Sequence, residues 1–102
     1  MIVRIWHGWT KPEDAVTYER FVLEKVFRPM REIPGFIGAE LVRRDERDET
    51  AYIAITRFES LDAVRRFAGK DPELAVVEPE ARRLLTRFDE RSAHYEVVEP
   101  GA

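Results

Sequence analysis

The order of hydrophobic patterns along the chain constrains its fold more than any single motif does. Alternating apolar residues predict strands, and apolar residues three or four apart predict amphipathic helices. The predicted elements are Ile2 to Trp9, Pro12 to Arg31, Phe36 to Arg44, Ala51 to Phe58, Leu61 to Phe88 and Ala93 to Val98. Their order is β-α-β-β-α-β. It predicts an α+β, ferredoxin-like protomer in which helices cover one face of a four-stranded antiparallel sheet.

The length and composition predict one small intracellular domain. The chain has 102 residues, and we assign residues 1–99 to a single domain and residues 100–102 to a disordered tail. The sequence contains no cysteine, which excludes disulfides, thiolate catalysis and cysteine zinc sites, and fits a reducing compartment. We find neither a signal peptide nor an apolar run of membrane-spanning length. We therefore expect a cytoplasmic protein without a membrane partner.

The charge distribution argues against a nucleic-acid partner. The 17 basic and 20 acidic residues give a net charge of −3. Arg43, Arg44 and Arg47 are interleaved with Asp45 and Glu46, so the local charges nearly cancel. A nucleic-acid surface would instead need a stripe of one sign.

The third predicted strand is apolar on both faces, which predicts a homodimer. Ile53 and Ile55 lie on one face, whereas Tyr52, Ala54 and Phe58 lie on the other. If helices cover one face, the other must be covered by a partner. We expect two protomers whose sheets face each other.

The first helix carries one carboxylate where apolar residues are expected. It starts with a capping box, Thr10 to Glu13, that includes a proline in the first turn. Its apolar stripe is Ala15, Tyr18, Val22, Val26, Met30 and Ile33, widened by Val16, Leu23 and Phe27. Glu19 projects into this stripe, and a buried carboxylate needs a partner or a raised pKa. Glu19 is either a catalytic base or a residue that pairs with an arginine such as Arg4 or Arg57.

The other candidate site residues also have two interpretations each. We assign His7 and Trp9 to the helix-covered face, where a neutral His7 would accept a proton from a phenol. The alternative is a His7 bonded to a backbone carbonyl and a Trp9 that fills the core. A group of aromatic residues either lines a flat ligand pocket or forms ordinary core. These aromatic residues are Tyr18, Phe58, Phe67 and Phe88.

Three polar residues on the strands have open roles. His94 is a base or ligand, or it holds the final strand in place. Arg4 and Arg57 either neutralise a ligand anion or pair with acids such as Glu40 or Glu96. Two histidines without a ligand spacing predict no metal site.

Four segments resemble the antibiotic biosynthesis monooxygenase family of the dimeric α/β-barrel superfamily. The segments are Ile2 to Trp6, Ile33 to Phe36, Arg57 to Ala63 and His94 to Val97. The resemblance implies a homodimer whose two four-stranded sheets form a barrel, with a pocket between sheet and helices in each protomer. The family includes cofactor-independent oxygenases of aromatic polyketides, quinol oxygenases and haem-degrading enzymes.

The chain departs from two branches of that family. The haem-degrading branch uses an asparagine on the first strand, a tryptophan at the end of the third and a histidine in the second helical region. This chain has no asparagine, Phe58 stands at the tryptophan position, and no histidine lies between Leu61 and Phe88. The polyketide oxygenases are suggested to use asparagine, tryptophan, tyrosine and arginine, and neither tryptophan of this chain lies beyond the first strand.

Together these observations give two functional hypotheses. The first is a cofactor-independent monooxygenase that acts on a small phenol or quinol. Its catalytic residues would be His7 and Glu19, and Trp9, Tyr18, Phe58, Phe67 and Phe88 would bind the substrate. It would need neither cofactor nor metal. The alternative is a non-catalytic dimer of the same fold that binds a small molecule or has a structural role.

Overall fold

The computed structural model describes residues 1–99 and 101, and its centre is an open antiparallel sheet of five strands. The strands are β1 Ile2–Thr10, β2 Phe36–Asp45, β3 Thr50–Phe58, β4 Leu85–Phe88 and β5 Ala93–Glu96. They lie in the order β2-β3-β1-β4, and β5 pairs with the other end of the same edge of β1. The α+β ferredoxin-like fold is therefore confirmed. The predicted tail lies outside the described residues except for residue 101.

Three helices pack on one face of this sheet. The first begins as a 3-10 turn at Pro12–Asp14 and is α-helical over Ala15–Phe21. It widens into a π-helix over Val22–Phe27 and ends with an α-helical turn at Arg28–Met30. The second helix is Leu61–Ala68, capped by the Ser60 hydroxyl, and the third is Pro79–Leu84. No helix among the described residues is long and apolar enough to cross a membrane.

The helix predicted to continue to Phe88 is shorter than expected. The third helix ends at Leu84, and the next four residues form strand β4, in which Arg87 lies opposite Trp9 and Phe88 opposite Gly8. Leu84, Leu85 and Phe88 have a spacing that suits a helix. The unpaired backbone groups of β1 nevertheless bind this segment as a strand, because tertiary pairing overrides local preference.

The register of the sheet separates an inner, helix-covered face from an outer face. Tyr52 and Phe58 of β3 are buried against the first two helices, and their partners on β1 are Gly8 and Ile2. The β1 residues at the alternate positions point outward, and they are Val3, Ile5, His7 and Trp9. Their partners on β3, which also point outward, are Arg57, Ile55, Ile53 and Ala51 in the same order. The assignment of His7 and Trp9 to the helix-covered face is therefore wrong, because alternation places Arg4 and Trp6 there instead.

The first helix is also rotated relative to the predicted stripe. Phe21 and Phe27 are buried, but Val16 and Leu23, which were expected to widen the stripe, are 62% and 53% exposed. The helix is rotated about its axis so that the side carrying Phe21 faces the sheet. Because of this rotation, Glu19 lies at the border of the core and not at its centre.

Candidate functional site

A cavity lies between the first helix and the inner face of the sheet. About 70 Å³ of it is open to the centres of water-sized molecules. Since one water needs roughly 10–15 Å³ by this measure, there is room for several waters or for a small ring. The exposed residues Val76 and Glu78 border it and mark its mouth.

The long wall of the cavity is apolar and comes from the first helix. Six of its residues line the space: Tyr18, Phe21, Val22, Val26, Phe27 and Met30. Ala54 of β3 and Phe67 of the second helix face them. A concave, largely apolar surface with a few polar groups is the usual form of a small-molecule site.

Trp6 closes one side of the cavity, and Gly8 makes room for it. The Trp6 indole Nε1 donates a hydrogen bond to the Asp89 carbonyl oxygen at 2.8 Å, and its ring packs 6.3 Å from the ring of Phe88. A Cβ atom on Gly8 would lie 2.6 Å from Cη2 and 2.8 Å from Cζ3 of Trp6. Trp6 was not identified from the sequence as a site residue. Gly8, two residues later on the same strand face, could have indicated it, because a residue without a side chain leaves room for a large neighbouring ring.

The buried end of the cavity is polar, and Arg4 is its centre. Arg4 is 4% exposed, and its guanidinium donates to the carbonyl oxygens of Pro72 and Leu74, the latter at 3.0 Å. Arg4 Nη1 also lies 3.0 Å from His94 Nε2. Arg4 can only donate, so His94 accepts through Nε2 and is neutral. Burial, together with the charge of Arg4, lowers the pKa of His94.

Arg4 keeps its charge without a carboxylate partner. Burial lowers the pKa of the Arg4 guanidinium to about 10, which still leaves it protonated at neutral pH. Within residues 1–99 and 101, no carboxylate lies at ion-pair distance from it. Of the two roles left open for Arg4, pairing with an acid is not seen among the described residues of this protomer. Arg57 does pair with Glu40, at 3.1 Å on the outer face.

Two hydroxyl groups of the cavity lining have no hydrogen-bond partner among the described residues. Thr56 lies opposite Arg4 across the β1–β3 pair, and Thr56 and Ser92 both line the cavity. The two residues are 5% and 4% exposed, and neither hydroxyl forms a hydrogen bond to a described residue. The phenol of Tyr18 is a further donor, because burial raises its pKa and keeps it protonated. The polar groups of the cavity are thus the cation Arg4, hydroxyls that can donate or accept, and Glu78 at the mouth.

The structure brings two of the predicted substrate-binding residues to the cavity. Tyr18 and Phe67 line it. Phe58 is fully buried between Phe36 and Phe67, at ring distances of 5.7 and 6.4 Å, and belongs to the core. Phe88 supports the Trp6 ring from behind. Trp9 lies on the outer face, with the Arg87 guanidinium 3.9 Å from its ring centre.

The predicted base His7 lies outside the cavity lining. Its Nδ1 is 2.7 Å from Asp89 Oδ2, and the same carboxylate oxygen accepts from the His7 amide at 3.2 Å. Asp89 stands where β4 ends, and its amide donates to the His7 carbonyl oxygen. His7 therefore bonds a carboxylate, and not the backbone carbonyl considered as the alternative.

The predicted base Glu19 is paired with an arginine, and that arginine is Arg43. Glu19 Oε2 accepts from Arg43 Nη1 and from the Tyr52 hydroxyl, both at 2.6 Å. Burial and the Glu19 carboxylate raise the pKa of Tyr52, which keeps it a donor. Glu19 does not border the cavity. Catalytic roles for His7 and Glu19 stay predictions.

Comparison with known proteins identifies the family. Residues 1–79 match the family described as antibiotic biosynthesis monooxygenase. The match extends over more than half of the 102 residues, so the chain belongs to this family and the resemblance is confirmed. A comparison with curated proteins found no match.

Solved structures of similar fold include proteins with different ligands. A haem-degrading protein from Mycobacterium tuberculosis, with two haems in its active site, is 20% identical with a TM-score of 0.68 and full coverage of both chains. A cofactor-independent oxygenase from Streptomyces nogalater is 20% identical, with a TM-score of 0.64 over 96% of this chain and 94% of the other. A Streptomyces coelicolor monooxygenase in complex with nanaomycin D is 21% identical, with a TM-score of 0.61 over 98% and 92%. At these identities the likeness establishes the fold.

Proposed function

We propose that this protein is a cofactor-independent monooxygenase that oxidises a small phenol or quinol in the cavity between the first helix and the sheet. The observation that carries the proposal is an apolar, partly aromatic cavity that ends at the buried cation Arg4. The family and two oxygenases of similar fold support the same reaction class.

The reaction uses the ring of the substrate as the reductant. A phenol and O2 give a quinone and water: the ring gains one oxygen atom and loses two hydrogens, and the second oxygen atom leaves as water. The deprotonated ring transfers an electron to O2. A carbon–oxygen bond then forms, and the resulting hydroperoxide loses water to give the quinone.

The residues of the cavity would favour the ionised ring. Arg4 stabilises the oxyanion from which the electron leaves, because a fixed positive charge acts strongly in a site with little water. The apolar wall formed by the first helix excludes water and places the ring. Glu78, the acidic residue on the lining, stands where a proton can pass to solvent.

The outer face of the sheet suits a second protomer. Ile5, Ile53 and Ile55 share this face with Trp9, and Val42 beside them is 40% exposed. A strand face this apolar is stable in water when another surface covers it. We infer a homodimer with its two outer faces in contact, and each cavity on the far side of its own sheet.

A non-catalytic, ligand-binding dimer is the second candidate. The observation in its favour is that neither His7 nor Glu19, the bases expected from the sequence, borders the cavity. In that case the cavity would bind an aromatic molecule without turnover.

Oxygen uptake with monocyclic phenols and hydroquinones, in chelator-treated buffer, tests the proposal. Ala54→Leu would fill the cavity, whereas Thr17→Leu places the same side chain at an exposed position of the first helix, away from the cavity and the outer face, and serves as the control. We expect uptake and quinone formation by the wild type and by Thr17→Leu, and loss of both in Ala54→Leu. Binding without uptake would favour the second candidate. Uptake that survives in Ala54→Leu would place the reaction elsewhere.

A further inference from the structure

We propose that the substrate carries an uncharged apolar chain on its ring, and that this chain lies in a groove that continues outward from the mouth of the cavity. The groove runs between the end of the first helix, the second helix and the segment that precedes the third helix. The proposal rests on the cavity binding the ring, as proposed above, but not on turnover. It specifies the part of the substrate that lies outside the cavity.

The groove begins where the cavity ends. Val76 and Glu78, which mark the mouth of the cavity, also line the groove. The two spaces share three further residues, which are Val26, Met30 and Phe67. About 250 Å³ of the groove is open to the centres of water-sized molecules, compared with about 70 Å³ in the cavity. A substituent that leaves the cavity through its mouth therefore enters a larger space.

The lining of the groove is mostly apolar. Val26, Ile33 and Phe67 pack against the core while staying partly exposed, and Val76 is 42% exposed. An apolar chain in the groove would remove part of this surface from water, which favours binding. The groove is therefore suited to a hydrocarbon chain.

The charges of the groove favour an uncharged chain. Lys25 and Glu78 are the charged residues of its lining, and they have opposite signs. A charged end group would meet one attractive and one repulsive side chain, and it would lose part of its hydration. A methylene chain bears neither of these costs.

A second groove on the first helix does not lead from the cavity in this way. It lies between this helix and β2, contains Leu23 and Ile37, and has one lining residue, Phe27, in common with the cavity. Neither residue of the cavity mouth borders it. This second groove therefore provides a matched control for apolar surface that lies beside the cavity but not at its mouth.

Binding of matched phenols tests the proposal. The probes are phenol, 4-ethylphenol, 4-butylphenol and 4-hexylphenol, titrated calorimetrically at pH 7. We expect each added methylene group to tighten binding roughly two- to fourfold, since burial of one methylene contributes up to that factor. Tyramine and 4-hydroxyphenylacetate carry a positive and a negative group on a chain of similar length to that of 4-propylphenol. We expect both to bind more weakly than 4-propylphenol.

Three variants assign the effect to the groove. Ile33→Ser and Pro29→Asp change residues that line the groove but not the cavity, and Leu23→Ser changes the second groove. We expect the first two variants to reduce the preference for 4-hexylphenol over phenol roughly threefold or more and to leave phenol binding unchanged. Leu23→Ser should preserve the preference. Pro29 and Leu23 are exposed, so these two variants should fold even if Ile33→Ser does not.

The outcomes separate this proposal from the proposed function. Binding that tightens with chain length and depends on Pro29 or Ile33, without oxygen uptake by any of these phenols, would support the groove and contradict the monooxygenase. Oxygen uptake with phenol, together with equal binding of phenol and 4-hexylphenol, would do the reverse. The groove is also overturned if either charged probe binds more tightly than 4-propylphenol, or if no phenol binds at millimolar concentration. The same conclusion follows if neither groove variant lowers the preference, or if Leu23→Ser lowers it as much as they do.

Discussion

Replacing Gly8 with alanine should displace the Trp6 indole from the wall of the cavity. The new Cβ would lie 2.6 and 2.8 Å from two ring carbons of Trp6, and 3.1 Å from Cδ2 of Leu85. Carbon atoms in contact prefer a separation of about 3.5–4.0 Å. The indole must therefore move by about 1 Å, although its Nε1 is held by the Asp89 carbonyl oxygen.

The size of the effect follows from two opposing contributions. Overpacking of this kind costs about 1–3 kcal/mol. Because Gly8 has no positive φ, alanine also restricts the unfolded chain and returns about 0.4–1 kcal/mol. The free energy of unfolding should fall by about 1–2 kcal/mol, which corresponds to a decrease in Tm of roughly 5–15 °C for a domain of this size.

Thermal denaturation and tryptophan fluorescence measure the two consequences. A Trp9→Phe background leaves Trp6 as the single tryptophan, so its emission reports the displaced ring. Gly38→Ala is the matched control, since a Cβ at this strand glycine would meet no atom within 4 Å. If Gly8→Ala keeps both the Tm and the emission of its parent, the argument that Gly8 makes room for Trp6 is refuted.

Three further predictions concern the assembly, pH dependence and the Glu19 cluster. Ile53→Asp should convert a dimer of 12.0 kDa chains into a less stable monomer in analytical ultracentrifugation, and a variant that stays dimeric, or a monomer as stable as the wild type, would contradict the outer-face interface. Burial raises the pKa of the Tyr18 phenol, so above pH 10 the unfolded chain releases this proton before the folded chain does, and the free energy of unfolding falls. In urea denaturation, the fall in the free energy of unfolding between pH 8 and pH 11 should be about 1.4 kcal/mol smaller in Tyr18→Phe than in the wild type. An equal fall in both proteins would contradict this prediction. Tyr52→Phe should lower the free energy of unfolding by about 1–3 kcal/mol in urea titrations, because the Tyr52 hydroxyl donates a hydrogen bond to Glu19 at 2.6 Å. Tyr95→Phe, at an exposed tyrosine, is the control. If Tyr52→Phe is as stable as the wild type, the hydrogen bond to Glu19 does not stabilise the fold.

The sequence predicts the fold well because the fold depends on periodicity. The alternation of β1 and β3 and the apolar stripe of the first helix are local patterns, and each corresponds to an element of the structure. Strand β4 could not be predicted in this way. Its conformation depends on the open edge of β1, more than seventy residues away in sequence, and not on its own four residues.

The candidate site is less predictable because it depends on which strand face points inward. One face of β1 carries Arg4, Trp6 and Gly8, and the sequence makes it look less suited to a core than the opposite face, which carries His7 and Trp9. The structure nevertheless buries Arg4, since carbonyl oxygens of the segment around Leu74 meet its guanidinium. No sequence spacing marks those carbonyls.

The partner of Glu19 was missed for a similar reason. Arg43 lies 24 residues away on β2, on the same inner face as Tyr52. Helix periodicity alone identifies Glu19 as unusual. Identifying its partner requires the pairing of β2 with β3 and the rotation of the helix above them.

The π-helical segment Val22–Phe27 makes the cavity wall tolerant of the loss of one residue. A π-turn holds more residues than the 3.6 of an α-turn, so side chains four apart, such as Tyr18, Val22 and Val26, stay on the same side. Loss of one exposed residue within it, such as Glu24, would let the helix close into a regular α-helix. Met30 and the other residues beyond the deletion would keep their direction relative to Tyr18, because the loss of one residue, about 100°, offsets the tighter winding of the segment. The cavity wall should thus tolerate this deletion, whereas loss of one residue from the regular α-helical part would rotate everything beyond it by about 100°.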